Sequence, residues 1–181
     1  MRDISWLTSR PIAHRGYHDA SRGCLENSQS AVQAAVDKGF AIEVDLQQSA
    51  DDVPIVFHDD TLDRLTFESG PVRQRSAAEL TRIALRGTDD RLWTLDDLLA
   101  QTDGKVGLCI EIKSRFGRKP ERAFIASIAA SLGRYSGPVA VDGRVTKLTA
   151  SRFDVDLAVD GPYSTSARVD GEVEIGASDV Q

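Results

Sequence analysis

Cysteine is nearly absent. Cys24 and Cys109 are the two in 181 residues, too few for a disulfide framework or a cysteine-held zinc, and they read as reduced filler residues. No apolar run is long enough to span a bilayer, and residues 1–10 lack the apolar stretch of a signal peptide, so the expected location is cytoplasmic, with no membrane span. Excess positive charge is missing as well. The chain carries −6 at pH 7, which removes the basic surface by which nucleic acid or anionic lipid is usually held. What remains, 41% apolar and 28% charged residues, is the composition of an ordinary soluble globular protein.

Strand-like and helix-like patterns alternate from the start to about Val141, which argues for βα units and a parallel sheet. Residues 11–14, 42–46, 53–57, 106–112 and 138–141 read as strands. Asn27 or Ser28 caps a helix whose apolar stripe is Ala31, Val32, Ala35 and Val36, ended by Gly39. After residue 57 the pattern breaks into an irregular stretch containing Gly70 and Pro71. Ser76 and Glu79 then form a capping box for a short helix. Thr94 caps another, with Asp96 and Asp97 in its first turn, where negative charge suits the helix dipole. Residues 120–132 read as a helix with Phe124, Ile125, Ile128 and Leu132 inward, stopped by Gly133.

The polar residues on these strands carry the chemistry. Glu43 and Asp45 stand two apart and so point to one face, and buried paired negative charge calls for a cation. Glu111 and Lys113 share a face in the same way, while Leu108, Ile110 and Ile112 take the other. His14 and His58 follow strands, and His14, Asp45, His58 and Lys113 all fall at or near strand C-terminal ends, where parallel α/β folds gather their sites. Together they outline a hard-metal site with two proton carriers and two cations, Arg15 and Lys113. Plainer readings exist for each: Glu43 and Asp45 as the wet face of an edge strand, Glu111 and Lys113 as a surface ion pair, and Asp59 as a turn residue. Asp59 could instead orient His58. His18 has no visible partner and reads as a rim residue without catalytic duty.

The order of these motifs resembles a known family. His14-Arg15-Gly16, Glu26-Asn27-Ser28, Glu43-Val44-Asp45, Pro54-Ile55-Val56-Phe57-His58-Asp59 and Glu111-Ile112-Lys113 occur in the sequence and at roughly the intervals of glycerophosphodiester phosphodiesterases. The resemblance spans roughly residues 10–115. It implies a TIM barrel and hydrolysis of glycerophosphodiesters to glycerol 3-phosphate and an alcohol, with a calcium or magnesium ion. Position by position it makes Glu43, Asp45 and Glu111 the metal ligands, His14 and His58 the acid/base pair, and Arg15 and Lys113 the groups that bind phosphate oxygens. Two loops depart from the family pattern. Leu25 stands where a proline is usual, and residues 49–52, Ser-Ala-Asp-Asp, replace a Thr-Lys-Asp-Gly turn.

Physical chemistry supports those roles independently. Three carboxylates offer oxygen ligands, which suit Ca²⁺ or Mg²⁺ better than a soft metal. Histidine titrates near neutrality, so one imidazole can take a proton from the nucleophile and the other give one to the departing alcohol. The resemblance favours His14 as base and His58 as acid. Alternatives are a phospholipase D-like relative acting on lipid, for which no apolar membrane-binding loop is visible, and a non-catalytic remnant that binds metal or phosphate or pairs with another subunit.

Length is the discordant feature. A TIM barrel takes about 250 residues and eight strands, and here the βα rhythm fades after four or so barrel strands. Residues 1–141 therefore read as the N-terminal part of a phosphodiesterase barrel, about half of it. Residues 142–181 read as an atypical acidic tail, holding 8 acidic and 4 basic residues and thus −4 of the chain's −6. Its residues 153–160 look like a half-exposed strand followed by a turn at Gly161-Pro162, and residues 173–175 give a second short alternation. The abrupt loss of pattern suggests truncation or a change of reading frame, with the tail disordered. An unclosed sheet would leave edges that favour self-association into a homo-oligomer.

Overall fold

A computed structural model describes residues 5–113, 122–143, 147–148, 156–158 and 173–174. In chain order the elements are α1 (Trp6–Ser9), β1 (Ile12–His14), α2 (Gln29–Lys38), β2 (Ala41–Gln48), β3 (Pro54–Val56), α3 (Ala77–Leu80), α4 (Leu95–Thr102), β4 (Leu108–Ile112), α5 (Arg122–Leu132), β5 (Val139–Gly143), β6 (Lys147–Leu148), β7 (Asp156–Ala158) and β8 (Val173–Glu174). β1, β2, β4, β5 and β7 run parallel and lie side by side in that order. The order never reverses, so these strands form an arc of a (β/α) barrel rather than a doubly wound sheet with a switch point.

The helix boundaries follow from local chemistry. Ser28, not Asn27, caps α2 by accepting from the Ala31 amide, and Gly39 closes it at φ 64. Ser76–Glu79 and Thr94–Asp97 form reciprocal capping boxes. Phe124, Ile125, Ile128 and Leu132 are buried on α5 as the stripe requires. Ile42, Val44, Leu46, Leu108, Ile110 and Ile112 from β2 and β4 pack with Leu95, Leu98 and Ile128 into the main core. At about 25 cal/mol per Å² of apolar surface, burial of this kind dominates the stability of the arc.

One strand departs from the expected parallel pairing. β3 is antiparallel to β2, with Leu46 opposite Val56 and Gln48 opposite Pro54. The cause is the tight 49–53 connection, far too short for a parallel crossover. Ser49 Oγ accepts from the Val53 amide, and Asp52 adopts φ 60, the left-handed geometry that a glycine would take more easily. β3 thereby occupies the edge of β2 beyond the end of β1, and it returns His58 to the level of Asp45.

The irregular stretch after β3 is not a loose loop. Ile55, Phe57, Leu62, Leu65, Val72, Leu80, Ile83, Leu85 and Leu92 bury one another in a second core, against which Leu25 also packs. In the acidic tail, residues 156–158 add β7 to the parallel sheet and Lys147–Leu148 pairs with Val173–Glu174. Residues 142–143 close β5; the tail's other positions, and with them any sign of a truncation or frame change, lie outside the described residues.

Candidate active site

Register assembles the carboxylates. Asp45 on β2 is directly opposite Glu111 on β4, and Glu43 lies two residues earlier on the same face. Ligand oxygens of the three come within 4.8 Å of one another. Lys113, two residues beyond Glu111, puts its Nζ 2.8 Å from Asp45 Oδ1 and 2.7 Å from Glu111 Oε1. From the other side comes Arg15, whose amide donates to Glu43 Oε2 at 3.0 Å and whose Nε is 3.3 Å from Asp45 Oδ2. Expected to bind phosphate, both cations are gathered onto the carboxylates.

The loop after β1 makes this approach possible. Arg15 and Gly16 both have positive φ, and a Cβ on Gly16 would lie 2.8 Å from Ala31 backbone and side chain. Only glycine lets the turn press that closely on α2. Asn27, at φ 55, is buried beside Asp45. Its Nδ2 donates to Asp45 Oδ2 at 2.8 Å, its Oδ1 accepts from the Asp45 amide at 3.3 Å, and its carbonyl accepts from Trp93 Nε1. β1 ends opposite Glu43, so the Asn27 amide supplies the pairing that a next residue of β1 would have given Asp45.

Burial first, then the neighbouring charge of Asp45, pushes the Glu43 carboxyl from 4.5 up to about 7. Burial opposes the Lys113 ammonium, but the attraction of the Asp45 and Glu111 carboxylates outweighs it and raises its pKa. Glu43 therefore contributes stability that is complete below about 4.5 and lost as pH rises through about 7. Glu26 and Asp59 are held low, so their contributions stay complete throughout the neutral range. In chelator, the melting temperature of Glu43→Gln relative to the parent is expected to climb between about pH 5 and pH 8. A difference that stays flat over that range would show that Glu43 is not a strained carboxyl.

The site's atoms fit a divalent ion. Asp45 Oδ1 and Arg15 Nε are buried without a hydrogen bond of good geometry; Lys113 reaches Oδ1 only as an ion pair. The donors are all carboxylate oxygens, the set preferred by calcium and magnesium.

The two histidines differ in surroundings. His14, last residue of β1 and opposite Glu43 in register, has its Nε2 3.8 Å from Glu43 Oε2 and a side chain 69% exposed. His58 is held more firmly. The Phe57 amide donates to the Asp45 carbonyl, Gln47 Nε2 donates to the His58 carbonyl at 2.9 Å, and His58 Nδ1 is 2.7 Å from Asp59 Oδ1. His18 is exposed. Two residues that sequence reasoning left out belong here. Gln47 continues the inward face of Glu43 and Asp45, and the period-two rule would have found it. Arg64 joins Asp59 to Glu26 across 38 residues of chain, and no local pattern announces that.

The family model described as the glycerophosphoryl diester phosphodiesterase family matches residues 14–131. The chain belongs to that family. It is 34% identical over 134 residues to the Bacillus subtilis protein YhdW, named as a candidate glycerophosphodiester phosphodiesterase, covering 69% of this chain and 52% of YhdW. It is 35% identical over 100 residues to glycerophosphodiester phosphodiesterase 1 of Mus musculus, covering 50% of this chain and 29% of that one. The chain thus spans about half the length of YhdW and less of the mouse relative. Among solved structures, a glycerophosphodiester phosphodiesterase from Agrobacterium tumefaciens superposes with TM-score 0.62 at 28% identity, over 75% of this chain and 58% of that one. A phosphodiesterase from Oleispira antarctica, solved with the product sn-glycerol-3-phosphate, gives TM-score 0.67 at 22% identity over 83% of this chain and 65% of that one. These neighbours make the arc part of a TIM-type barrel, as the motif order implied. Among the described residues, no helix is long and apolar enough to cross a membrane.

Proposed function

We propose that this chain carries the phosphodiester-cleaving centre of its family and that its substrates are glycerophosphodiesters, split to glycerol 3-phosphate and an alcohol. The observation that carries the reading is the meeting of Glu43, Asp45 and Glu111 within 4.8 Å, with Arg15, Lys113, His14 and His58 around them. Support for the substrate class comes from the family and from the glycerol 3-phosphate bound by the Oleispira antarctica relative.

Glu43, Asp45 and Glu111 would hold a calcium or magnesium ion, which would supply Lewis-acid polarisation of a phosphoryl oxygen. Arg15 and Lys113 turn part of their hydrogen-bonding capacity to the remaining phosphate oxygens and offset the charge that builds up during attack. His14, the more exposed imidazole, accepts the proton of the attacking hydroxyl, either of water or of the substrate's own glycerol, and in the second case water then opens the cyclic phosphate so formed. His58, fixed through Nδ1, gives a proton from Nε2 to the alcohol oxygen as its bond to phosphorus breaks. The exposed His14 can exchange its proton with solvent after each turnover.

The test is release of glycerol 3-phosphate from glycerophosphocholine by the purified chain, with Ca²⁺ or Mg²⁺ and then with chelator. Turnover that disappears in chelator and returns with added ion is the expected result. No release in either ion, or release indifferent to chelator, would overturn the reading.

A further inference from the structure

The Arg64 guanidinium grips two carboxylates at once. Its Nε and NH2 donate to Asp59 Oδ2 and Oδ1 at 2.6 and 2.8 Å, while NH1 and NH2 donate to Glu26 Oε2 and Oε1 at 3.0 and 2.7 Å. Each carboxylate then touches a residue of the candidate active site. Asp59 Oδ1 is 2.7 Å from His58 Nδ1, and Glu26 Oε1 accepts from Arg15 NH1 at 2.8 Å. A continuous polar chain therefore runs from His58 through Asp59, Arg64, Glu26 and Arg15 to Asp45.

Glu26, His58 and Asp59 bring ligand atoms within 4.8 Å of one another, which by itself suggests a second cation site. The arginine argues otherwise, since it already satisfies both carboxylates with paired hydrogen bonds. An isolated ion pair as exposed as Arg64, at 47%, is usually worth little. Paired fork geometry shared by two carboxylates is the exception, and lysine, a point charge on a flexible stem, cannot reproduce it. Without the guanidinium, Glu26 and Asp59 repel each other and Asp59 is free to turn away from the His58 ring.

We propose that Arg64 is a positioning residue that locks Asp59 against His58 Nδ1 and Glu26 against Arg15, so that the proton donor and a phosphate-binding cation are held in one frame. The proposal rests on the function assigned above only for its catalytic consequence. Its structural core is the tautomer of His58. With Asp59 fixed, the neutral ring carries its proton on Nδ1, leaving Nε2 as the nitrogen that faces away from the carboxylate and exchanges protons with the substrate.

The experiment uses the full chain and its Arg64→Lys, Arg64→Ala and Asp59→Asn variants. Nitrogen-15 NMR at alkaline pH, in chelator, with His58 assigned by comparison with His58→Gln, reports the tautomer whether or not the protein turns over. The parent is expected to show the Nδ1–H form, and Arg64→Ala a mixture with the Nε2–H form. Arg64→Lys should resemble Arg64→Ala, because it restores charge without the fork. Where the parent cleaves glycerophosphocholine, Arg64→Ala should lower kcat about 10–100-fold, the range for residues that orient a first-rank ligand. It should change KM less, and cost less on a p-nitrophenyl diester, whose departure needs no proton, the loss that persists there reporting the loosened Arg15 arm. A parent already in the Nε2–H form, an Arg64→Ala spectrum identical to the parent's, or equal losses on both substrates would overturn the proposal. An inactive parent with the expected tautomer change would reject the assigned function and leave the positioning role standing.

Discussion

Asp45→Asn is expected to abolish metal-dependent turnover, lowering kcat/KM on glycerophosphocholine by about 10³-fold or more. Asp45 is the most enclosed of the three carboxylates, 1% exposed, and it is the one on which Lys113, Arg15 and Asn27 converge. An asparagine keeps the shape and can still accept from Asn27, but it loses the charge that attracts a divalent ion and presents N–H groups to the lysine. Lewis-acid stabilisation is worth several kcal/mol, and each 1.36 kcal/mol is a factor of ten in rate, which gives the stated magnitude. Calcium binding followed by calorimetry should weaken in parallel. Lys113 and Arg15 would then face an amide, so the variant is also expected to melt below the parent. Turnover within tenfold of the parent would remove Asp45, and with it the carboxylate cluster, from the chemistry.

His14→Ala and His58→Ala are each expected to cost about 10²–10⁴-fold in kcat, the usual contribution of a positioned acid or base. Their environments give the two variants different signatures. On the proposed assignment His58, pinned through Asp59, protonates the leaving alcohol, so its loss should be largely rescued by a p-nitrophenyl leaving group that departs as a stable anion. The same assignment puts His14 on the attacking hydroxyl, so its loss should be just as severe on the activated substrate. Rate ratios for the two variants on the two substrates therefore separate the roles. The opposite pattern would exchange base and acid, and normal turnover by both variants would end the pairing.

Much of the site was legible because strand periodicity is short and rigid. Glu43 with Asp45, and Glu111 with Lys113, had to share faces once β2 and β4 were recognised. The βα alternation then put their chemistry at one end of a parallel sheet. The capping box at Ser76 and the cap at Thr94 were equally local, since their partners lie three residues away. The direction of β3 was harder to read. Apolar residues 53–57 have the composition of a parallel barrel strand, and only the hydrogen bonds to Leu46, Gln47 and Gln48 reverse it. Likewise, residues 60–92 have no periodic stripe, yet Phe57, Leu62, Val72, Leu80 and Leu92 meet in a core of their own.

By itself the sequence determined which residue types were available, which of them share a strand face, and where the helices after Ser76 and Thr94 begin. Those properties depend on neighbours two to four positions apart, and backbone geometry fixes them wherever the chain goes. Tertiary structure alone decided that Asp45 stands opposite Glu111, that Asn27 takes the place of the missing β1 residue, and that Arg64 ties Asp59 to Glu26. Such pairings join segments tens of residues apart, and they exist only after packing has chosen the register.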